Sequence, residues 1–154
     1  MRLQNNDDKR CGATMIESVL IFSALMMLLV GAFDLGMGVF RQYVLSEAAR
    51  QGVRKAIVHG NLCPSGWNGG PWGTATYGPS AATDSDVKAQ AISPFLTGLD
   101  PSLVTVKYSW PDNSNAAEKR VKVELSTTWT PILGFIFGGT TYTINASSEM
   151  QIAH

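Results

Sequence analysis

The chain has 154 residues, of which 45% are hydrophobic and only 16% are charged, and its 12 basic side chains balance its 12 acidic ones. This length suits one ordinary domain and is too short for a complete Rossmann-type or barrel enzyme. A net charge of zero leaves no basic excess to neutralise phosphates, so the composition argues against a nucleic-acid partner.

Residues 1–12 form a short polar leader with three basic and two acidic residues. The leader ends at Gly12, and Glu17 follows five positions later, directly before a long apolar segment. This junction resembles the processing site of type IV pilins and pseudopilins, whose prepilin peptidase cuts after the glycine on the cytoplasmic face. The resemblance implies cleavage between Gly12 and Ala13. Ala13 and Ser18 stand where many pilins have an aromatic residue, which is typical of a minor component rather than a bulk pilin.

Glu17 has two interpretations. The resemblance implies an assembly role, in which its carboxylate meets the new α-amine of a neighbouring subunit; carboxylates near lipid usually pair with a cation. Alternatively, Glu17 is a solvated acid that the helix dipole favours near a helix N-terminus.

The apolar segment predicts a transmembrane helix over residues 13–40. Residues 18–33 contain no charge, and the apolar sequence continues beyond Asp34 to Phe40. As a helix, residues 18–40 would rise about 34 Å, enough to cross a hydrocarbon core of about 30 Å. A cleaved secretory signal has a shorter apolar stretch of about 7–15 residues. A buried helix of a soluble protein is a poor fit because the uncharged run leaves no solvent face.

Two patterns in the second half of this helix are similar to the TadE family of tight-adherence pseudopilins. They are an acidic-Leu-Gly step at 34–36 and an Ala-Ala-Arg-x-Gly-x-Arg signature at 48–54, and the resemblance covers about residues 10–58. It makes Asp34, Arg50 and Arg54 signature residues. It implies a single-pass protein of the bacterial cytoplasmic (inner) membrane with an extracytoplasmic C-terminal domain. The implied partners are prepilin peptidase, other pilins or pseudopilins, and pilus assembly platform proteins. The positive-inside rule alone would mildly favour the opposite orientation.

The apolar spacing predicts that the helix continues outside the membrane over residues 41–59. Gly31, Gly36, Ala48 and Gly52 are candidate helix-packing residues. Small residues one turn apart let another helix approach closely, and the pairs are Ala32/Gly36, Ala48/Gly52 and Gly52/Ala56. The alternative is chance in a helix rich in alanine and glycine.

The charged signature residues have structural interpretations as well. Asp34 either pairs with Arg41 of a neighbouring subunit or snorkels to the interface. Arg50 and Arg54, four residues apart, predict a solvated or subunit-facing basic stripe.

Beyond the helix, residues 60–83 are rich in glycine and proline and contain Trp67, Trp72 and Tyr77. We expect a long loop whose aromatic side chains dock first on their own domain, with partner binding as the alternative. Residues 84–154 then predict a small α+β domain. Thr83 or Asp84 can cap a short helix over 85–93.

Three strands are predicted from alternating apolar residues, within residues 103–110, 121–129 and 142–146. Such a sheet needs cover, and the outer half of the long helix supplies it. The predicted fold is therefore α+β: a long N-terminal membrane-spanning helix whose outer half packs on a small antiparallel three-stranded sheet, as in pilins. The apolar stretch 131–139 is either a buried loop or strand end, or a loop that meets the membrane surface or another subunit.

The sequence predicts no catalytic, cofactor-binding or metal-binding site. His59 and His154 are its two histidines, too few for a zinc cluster and too isolated for a triad. Cys11 lies in the leader and Cys63 in the loop, so a disulfide between them would have to cross the membrane.

Together these features predict a non-catalytic TadE-like pseudopilin, processed after Gly12 and involved in assembling or anchoring a tight-adherence, type IVc-like pilus. Such a protein either enters the fibre or stays at its base, and the associated processes are secretion and cell adhesion. The alternative is an unprocessed single-pass anchor whose extracytoplasmic domain binds a ligand or envelope component.

Overall fold

The computed structural model describes residues 7–67, 69–136 and 138–153, with side chains from residue 14 onward except at 135 and 136. Residues 1–6 of the expected leader and His154 lie outside this set. The first element is one continuous helix, α1 (Asp7–Ala56), of 50 residues. At 1.5 Å per residue it is about 75 Å long, well over twice the thickness of a hydrocarbon core. It ends close to the predicted boundary at residue 59.

The rest of the chain forms an antiparallel sheet, which confirms the α+β class but not the strand count. Four strands are present rather than three: β1 (Tyr77–Ala81), β2 (Val104–Ser109), β3 (Arg120–Trp129) and β4 (Tyr142–Gln151). They pair in the order β1-β2-β3-β4, so each strand lies beside its neighbour in sequence. The long β3–β4 pairing runs in register from Arg120 opposite Gln151 to Trp129 opposite Tyr142.

β1 lies within the segment that the sequence predicted to be a loop. The strand was not predicted because its residues do not alternate between apolar and polar. Gly78 and Pro79 interrupt the strand, and its register with β2 shifts between Tyr77 and Ser80. Gly78 has φ +89°, and a Cβ there would collide with the carbonyl oxygen of Val106. Only glycine fits this position, and a strand at the edge of the sheet tolerates the proline that follows it.

The core lies between the sheet and the outer half of α1, as predicted. The alternating residues of β2 and β3 are buried, and Leu45, Ala48 and Val53 of α1 have no exposed surface. The buried strand residues are Val104, Val106, Tyr108, Val121, Val123 and Leu125. In β4 the alternation is weaker: Ala146 is buried, whereas Tyr142 is 55% exposed.

The helix expected over residues 85–93 is shorter and begins later. α2 (Val87–Gln90) is capped by Asp86 rather than by Thr83 or Asp84, because the Asp86 carboxylate accepts a hydrogen bond from Lys88 N at 2.8 Å. A 3₁₀ turn over Ser93–Phe95 follows, and another over Pro101–Leu103 leads into β2.

The connection between β3 and β4 contains a further short helix, α3 (Ile132–Ile136). The expectation of a loop or strand end over this stretch is therefore wrong for these five residues. We call the described residues of this connection, 131–136 with 138 and 139, the apolar tip.

Candidate functional site

The first half of α1 is exposed on all sides. Every residue from 14 to 29 is exposed, although most of them are large and apolar. Within the helix from Thr14 to Ala56, an 18-residue stretch has a mean hydropathy of 2.2, and no residue of that stretch is buried. A soluble protein cannot leave such a surface in water, so this single apolar helix indicates a single-pass membrane protein.

The two serine hydroxyls of this segment are satisfied inside the helix. The Ser18 hydroxyl donates to the Thr14 carbonyl oxygen at 2.8 Å, and the Ser23 hydroxyl donates to the Leu20 carbonyl oxygen at 2.9 Å. A lipid environment demands such internal hydrogen bonds, because hydrocarbon offers no partner. The surface presented to the bilayer is therefore effectively apolar.

The predicted processing junction lies on continuous helix. The backbone is helical through Gly12 and Ala13, whose side chains are outside the described set. Glu17 is exposed, and among the side chains from residue 14 onward that the structure describes it has no ion-pair partner. Processing at Gly12 and the assembly role of Glu17 stay predictions.

Asp34 is the buried polar residue of the apolar half of α1, with 6% of its surface exposed. Its Oδ1 accepts a hydrogen bond from Ile132 N at 3.0 Å, and its Oδ2 accepts one from Leu133 N at 2.7 Å. The expectation that Asp34 snorkels to the interface is therefore wrong. Both carboxylate oxygens are engaged by the first turn of α3, which satisfies two of the free backbone donors of that turn.

Two glycines of α1 make this contact possible. A Cβ on Gly31 would lie 3.2 Å from Leu133 Cδ1, and a Cβ on Gly38 would lie 3.1 Å from the indole ring of Trp129. Gly31 and Gly38 are two helical turns apart and share the Asp34 face of the helix. Gly38 was not among the residues predicted from the sequence, although its spacing of seven residues from Gly31 indicates that the two glycines share a helix face.

The other candidate packing residues have different surroundings. Ala48 is fully buried in the core of its own domain. Gly52 lies against Ile92 and Tyr108, where an added Cβ would be 3.0 Å from Ile92 Cγ1. A Cβ on Gly36 would meet nothing within 4 Å. Of these positions, Gly36 is the one with free space for a second helix in the isolated chain.

The remaining signature residues lie on the outer surface of α1. Arg50 and Arg54 are both exposed, as predicted for a solvated basic stripe. Arg50 is 3.9 Å from Glu47 in an exposed ion pair, an interaction that contributes little to stability.

The aromatic residues of the 60–83 segment dock on their own domain. Trp72 is buried and stacks on His59, with ring centroids 4.6 Å apart and planes 2° from parallel. His59 Nδ1 donates to the Gly70 carbonyl oxygen at 2.8 Å and lies 3.8 Å from the sulfur of the buried Cys63. Trp67 also stacks on His59, with ring centroids 5.6 Å apart, but stays 51% exposed. The cluster anchors the segment to the end of α1.

Tyr108 joins this cluster to the sheet. Its ring meets Trp72 edge-on at 5.4 Å, and its hydroxyl donates to the Lys88 carbonyl oxygen at 3.1 Å. Burial raises the pKa of Tyr108 far above its ordinary value, so the hydroxyl stays protonated. It is a structural hydrogen-bond donor.

Charged groups gather at the end of the sheet where the β2–β3 connection lies. Arg120 contacts Asp112 at 2.8 Å and Glu149 at 3.1 Å. The Arg120 guanidinium lowers the pKa of Asp112 to about 2, chiefly through side-chain hydrogen bonds. Lys122, 2.6 Å from Glu124, lowers the pKa of that carboxyl. Within the described side chains, no three His, Cys, Asp or Glu residues lie close enough to hold a metal ion.

A cavity of about 640 Å³ lies between the apolar tip and α1. Its lining includes Asp34, Leu35, Trp129, Leu133 and Tyr142. The cavity is open, and its lining is mainly apolar apart from the Asp34 carboxylate and the hydroxyls of Thr140 and Tyr142. It is an apolar cleft.

Comparison with known proteins identifies the N-terminal helix. No curated protein and no solved structure matches the chain. Residues 12–54 match the model of a family described as TadE-like protein. This segment begins at Gly12 and ends at Arg54, and it contains the signature residues Asp34 and Arg50. The match confirms the resemblance predicted from the sequence and identifies residues 12–54 as a TadE-like segment.

Proposed function

We propose that the protein is a TadE-like pseudopilin, a non-catalytic membrane protein that takes part in assembling or anchoring a tight-adherence pilus. The observation that carries the proposal is that the family match covers the exposed apolar helix. The match runs over residues 12–54, and every residue from 14 to 29 within it is exposed. A helix with a removable polar leader and an apolar surface on all sides suits a subunit that waits in the membrane and then packs among other helices.

Processing creates the charge that makes assembly selective. Cleavage after Gly12 by prepilin peptidase gives Ala13 a free α-amine, four residues before Glu17. A carboxylate at the head of an apolar helix is costly in lipid unless a cation pairs with it. In this proposal the exposed Glu17 carboxylate pairs with the α-amine of a neighbouring pilin or pseudopilin, and this interaction sets the axial position of one helix against the next.

The orientation follows from the same step. The leader faces the cytoplasm, where it meets the peptidase, and the sheet domain lies outside the cytoplasmic membrane. The domain presents no cluster suited to catalysis among its described side chains, so its role is contact with assembly platform proteins and other pilus subunits.

The mass of the mature protein tests this function. In cells that contain prepilin peptidase, mass spectrometry of the purified chain should find an N-terminus at Ala13. Gly12→Ala should leave residues 1–12 attached, because the peptidase requires the glycine before the cut. Gly36→Ala is the matched control, since Gly36 is exposed on the same helix and a Cβ there meets nothing.

An intact leader in the wild-type protein from such cells would reject the proposal. It would favour the alternative of an unprocessed single-pass anchor with an extracytoplasmic binding domain. Equal processing of wild type and Gly12→Ala would reject the assigned cleavage site.

A further inference from the structure

The two ends of the sheet differ sharply in charge. The β2–β3 connection contains Asp112, Glu118 and Lys119, and Arg120 begins β3 beside it. By contrast, residues 125–148 contain no Asp, Glu, Lys or Arg. This uncharged stretch includes the second half of β3, the apolar tip and the first part of β4. Around the β3–β4 connection the sheet therefore carries no charge, and we call this part the uncharged end; Asp84 and Asp100 lie on the β1–β2 side of it.

The uncharged end lies alongside the membrane-spanning half of α1. The hydrogen bonds from Ile132 N and Leu133 N to Asp34 hold α3 against the helix. Leu133 packs over Gly31, one turn further toward the N-terminus. Ile132, whose backbone N–H makes one of these hydrogen bonds, is 55% exposed. The tip is therefore fixed beside residues 31–34, within the segment expected to span the membrane.

Helix geometry gives the depth of this contact. We take the hydrocarbon core to begin after Glu17 and to be about 30 Å thick. An upright helix with a rise of 1.5 Å per residue then reaches the far side of this core near Gly38. Gly31 then lies about 10 Å inside the boundary, and Asp34 about 6 Å inside it. These depths match the ~5–10 Å to which interfacial helices sink into a bilayer.

Aromatic side chains surround the same boundary. The Trp129 ring lies against Gly38, and Tyr142 pairs with Trp129 across the sheet and is 55% exposed. Tyr43, slightly further out on α1, is 69% exposed. Tryptophan and tyrosine are enriched where a membrane meets water, because their rings are apolar at one end and polar at the other.

We propose that the apolar tip is a second membrane-embedded element, which inserts between lipid acyl chains of the leaflet next to the sheet domain. Non-helical backbone is tolerated at this depth only when its polar groups have partners. Asp34 provides partners for two of these groups, because its carboxylate accepts hydrogen bonds from Ile132 N and Leu133 N. The occupant of the exposed side of the tip, and of the cleft beside Asp34, is lipid. The inference goes beyond the pseudopilin role and does not depend on processing after Gly12.

Fluorescence quenching of the full-length protein in phosphatidylcholine–phosphatidylglycerol vesicles tests the proposal. A Cys11→Ser, Cys63→Ala background carries either Ile132→Cys at the tip or Ala117→Cys at the charged end, each labelled with an environment-sensitive nitrobenzoxadiazole group. Ala117 is the matched control because it is exposed and lies in the β2–β3 connection. Doxyl-labelled lipids probe contact with acyl chains, and iodide probes contact with water.

The label at residue 132 should be quenched by doxyl lipids, and its iodide quenching should be several-fold weaker than that of the label at residue 117. Iodide quenching of equal strength at both sites would overturn the proposal, because the tip would then lie in water. Protection from both quenchers would also overturn it, because another protein subunit would then cover the tip.

Variants at Asp34 test how the tip is held. Asp34→Ala removes both acceptors and should increase iodide quenching at residue 132, whereas Asp34→Asn keeps one acceptor oxygen and should give an intermediate value. Near-ultraviolet circular dichroism and an unchanged signal at residue 117 identify variants whose domain is still folded. Unchanged lipid exposure of residue 132 in a folded Asp34→Ala protein would overturn the role assigned to Asp34.

Discussion

The two halves of α1 both contain large apolar side chains but place them in different environments. In the outer half, Leu45 has no exposed surface because the sheet covers it, whereas Leu28 in the inner half is 67% exposed. One continuous helix therefore supplies a domain core at one end and a lipid-facing surface at the other. The presence of a leucine alone does not show whether it packs in the domain core or faces lipid. The strands that follow decide which leucine is covered by protein.

The largest effect is expected from a pair of leucine substitutions across this division. Leu45→Ala should lower the free energy of unfolding of the domain by about 2–5 kcal/mol, because it leaves a cavity between helix and sheet. Leu28→Ala should change it by less than about 0.5 kcal/mol, because Leu28 contacts none of the domain core. Urea unfolding of the full chain in detergent micelles, followed by tryptophan fluorescence, measures both.

The fluorescence reports on the domain alone, because all 4 tryptophans follow the helix: Trp67, Trp72, Trp110 and Trp129. Equal destabilisation by the two variants would show that the halves of α1 unfold as one unit, and the comparison would then fail.

Glycine substitutions sharpen the comparison at the level of packing. Gly52→Val should destabilise the domain by about 1–3 kcal/mol, because the new side chain enters the space held by Ile92 and Tyr108. Gly36→Val should leave domain unfolding unchanged, since a Cβ there meets nothing. The same urea experiment measures both variants.

Gly36 also tests the predicted contact between subunits. If a second helix packs against this position in the membrane, Gly36→Val should reduce chemical crosslinking between chains in cells while the domain stays folded. Crosslinking at the wild-type level would remove Gly36 from the predicted packing surface.

The sequence predicts the regular parts of this fold well, because each follows from a local pattern. The uncharged run identifies the span, and the alternation of Val104, Val106 and Tyr108 identifies a half-buried strand. β1 was missed because Gly78 and Pro79 break its alternation and lower its strand propensity. α2 begins later than predicted because Asp86, rather than Asp84, caps its N-terminus.

The contact between Asp34 and the apolar tip could not be predicted from the sequence, for a different reason. Its two partners are 98 and 99 residues away, and both donate through backbone amides that no residue type reveals. The pattern showed an acidic residue in a membrane helix, which requires some partner. Only the three-dimensional arrangement shows that the partner is the connection between β3 and β4.

The smallest effect is expected at the charged end of the sheet, where water rather than lipid surrounds the chain. Arg120 holds the pKa of Asp112 at about 2, below its ordinary value of 3.8. A carboxyl whose pKa is lowered by folding stabilises the folded state above its unfolded pKa. That contribution is therefore present above pH 3.8 and is lost as the pH falls toward about 2. Arg120→Met should flatten this part of the stability profile, although the Arg120 backbone N–H still donates to Asp112.

Lys119→Met is the matched control for this prediction. It removes a neighbouring positive charge that makes a minor contribution to the lowered pKa of Asp112 and leaves the Arg120 hydrogen bonds in place. Urea unfolding between pH 4.5 and 2 should therefore give a shallower slope for Arg120→Met than for wild type, and a nearly unchanged slope for Lys119→Met. The difference should be small because all these side chains face water, where ion pairs contribute little. Equal slopes in all three proteins would show that Asp112 titrates normally. The charged residues at this end of the sheet would then keep it exposed to water without stabilising the fold through the Arg120–Asp112 ion pair.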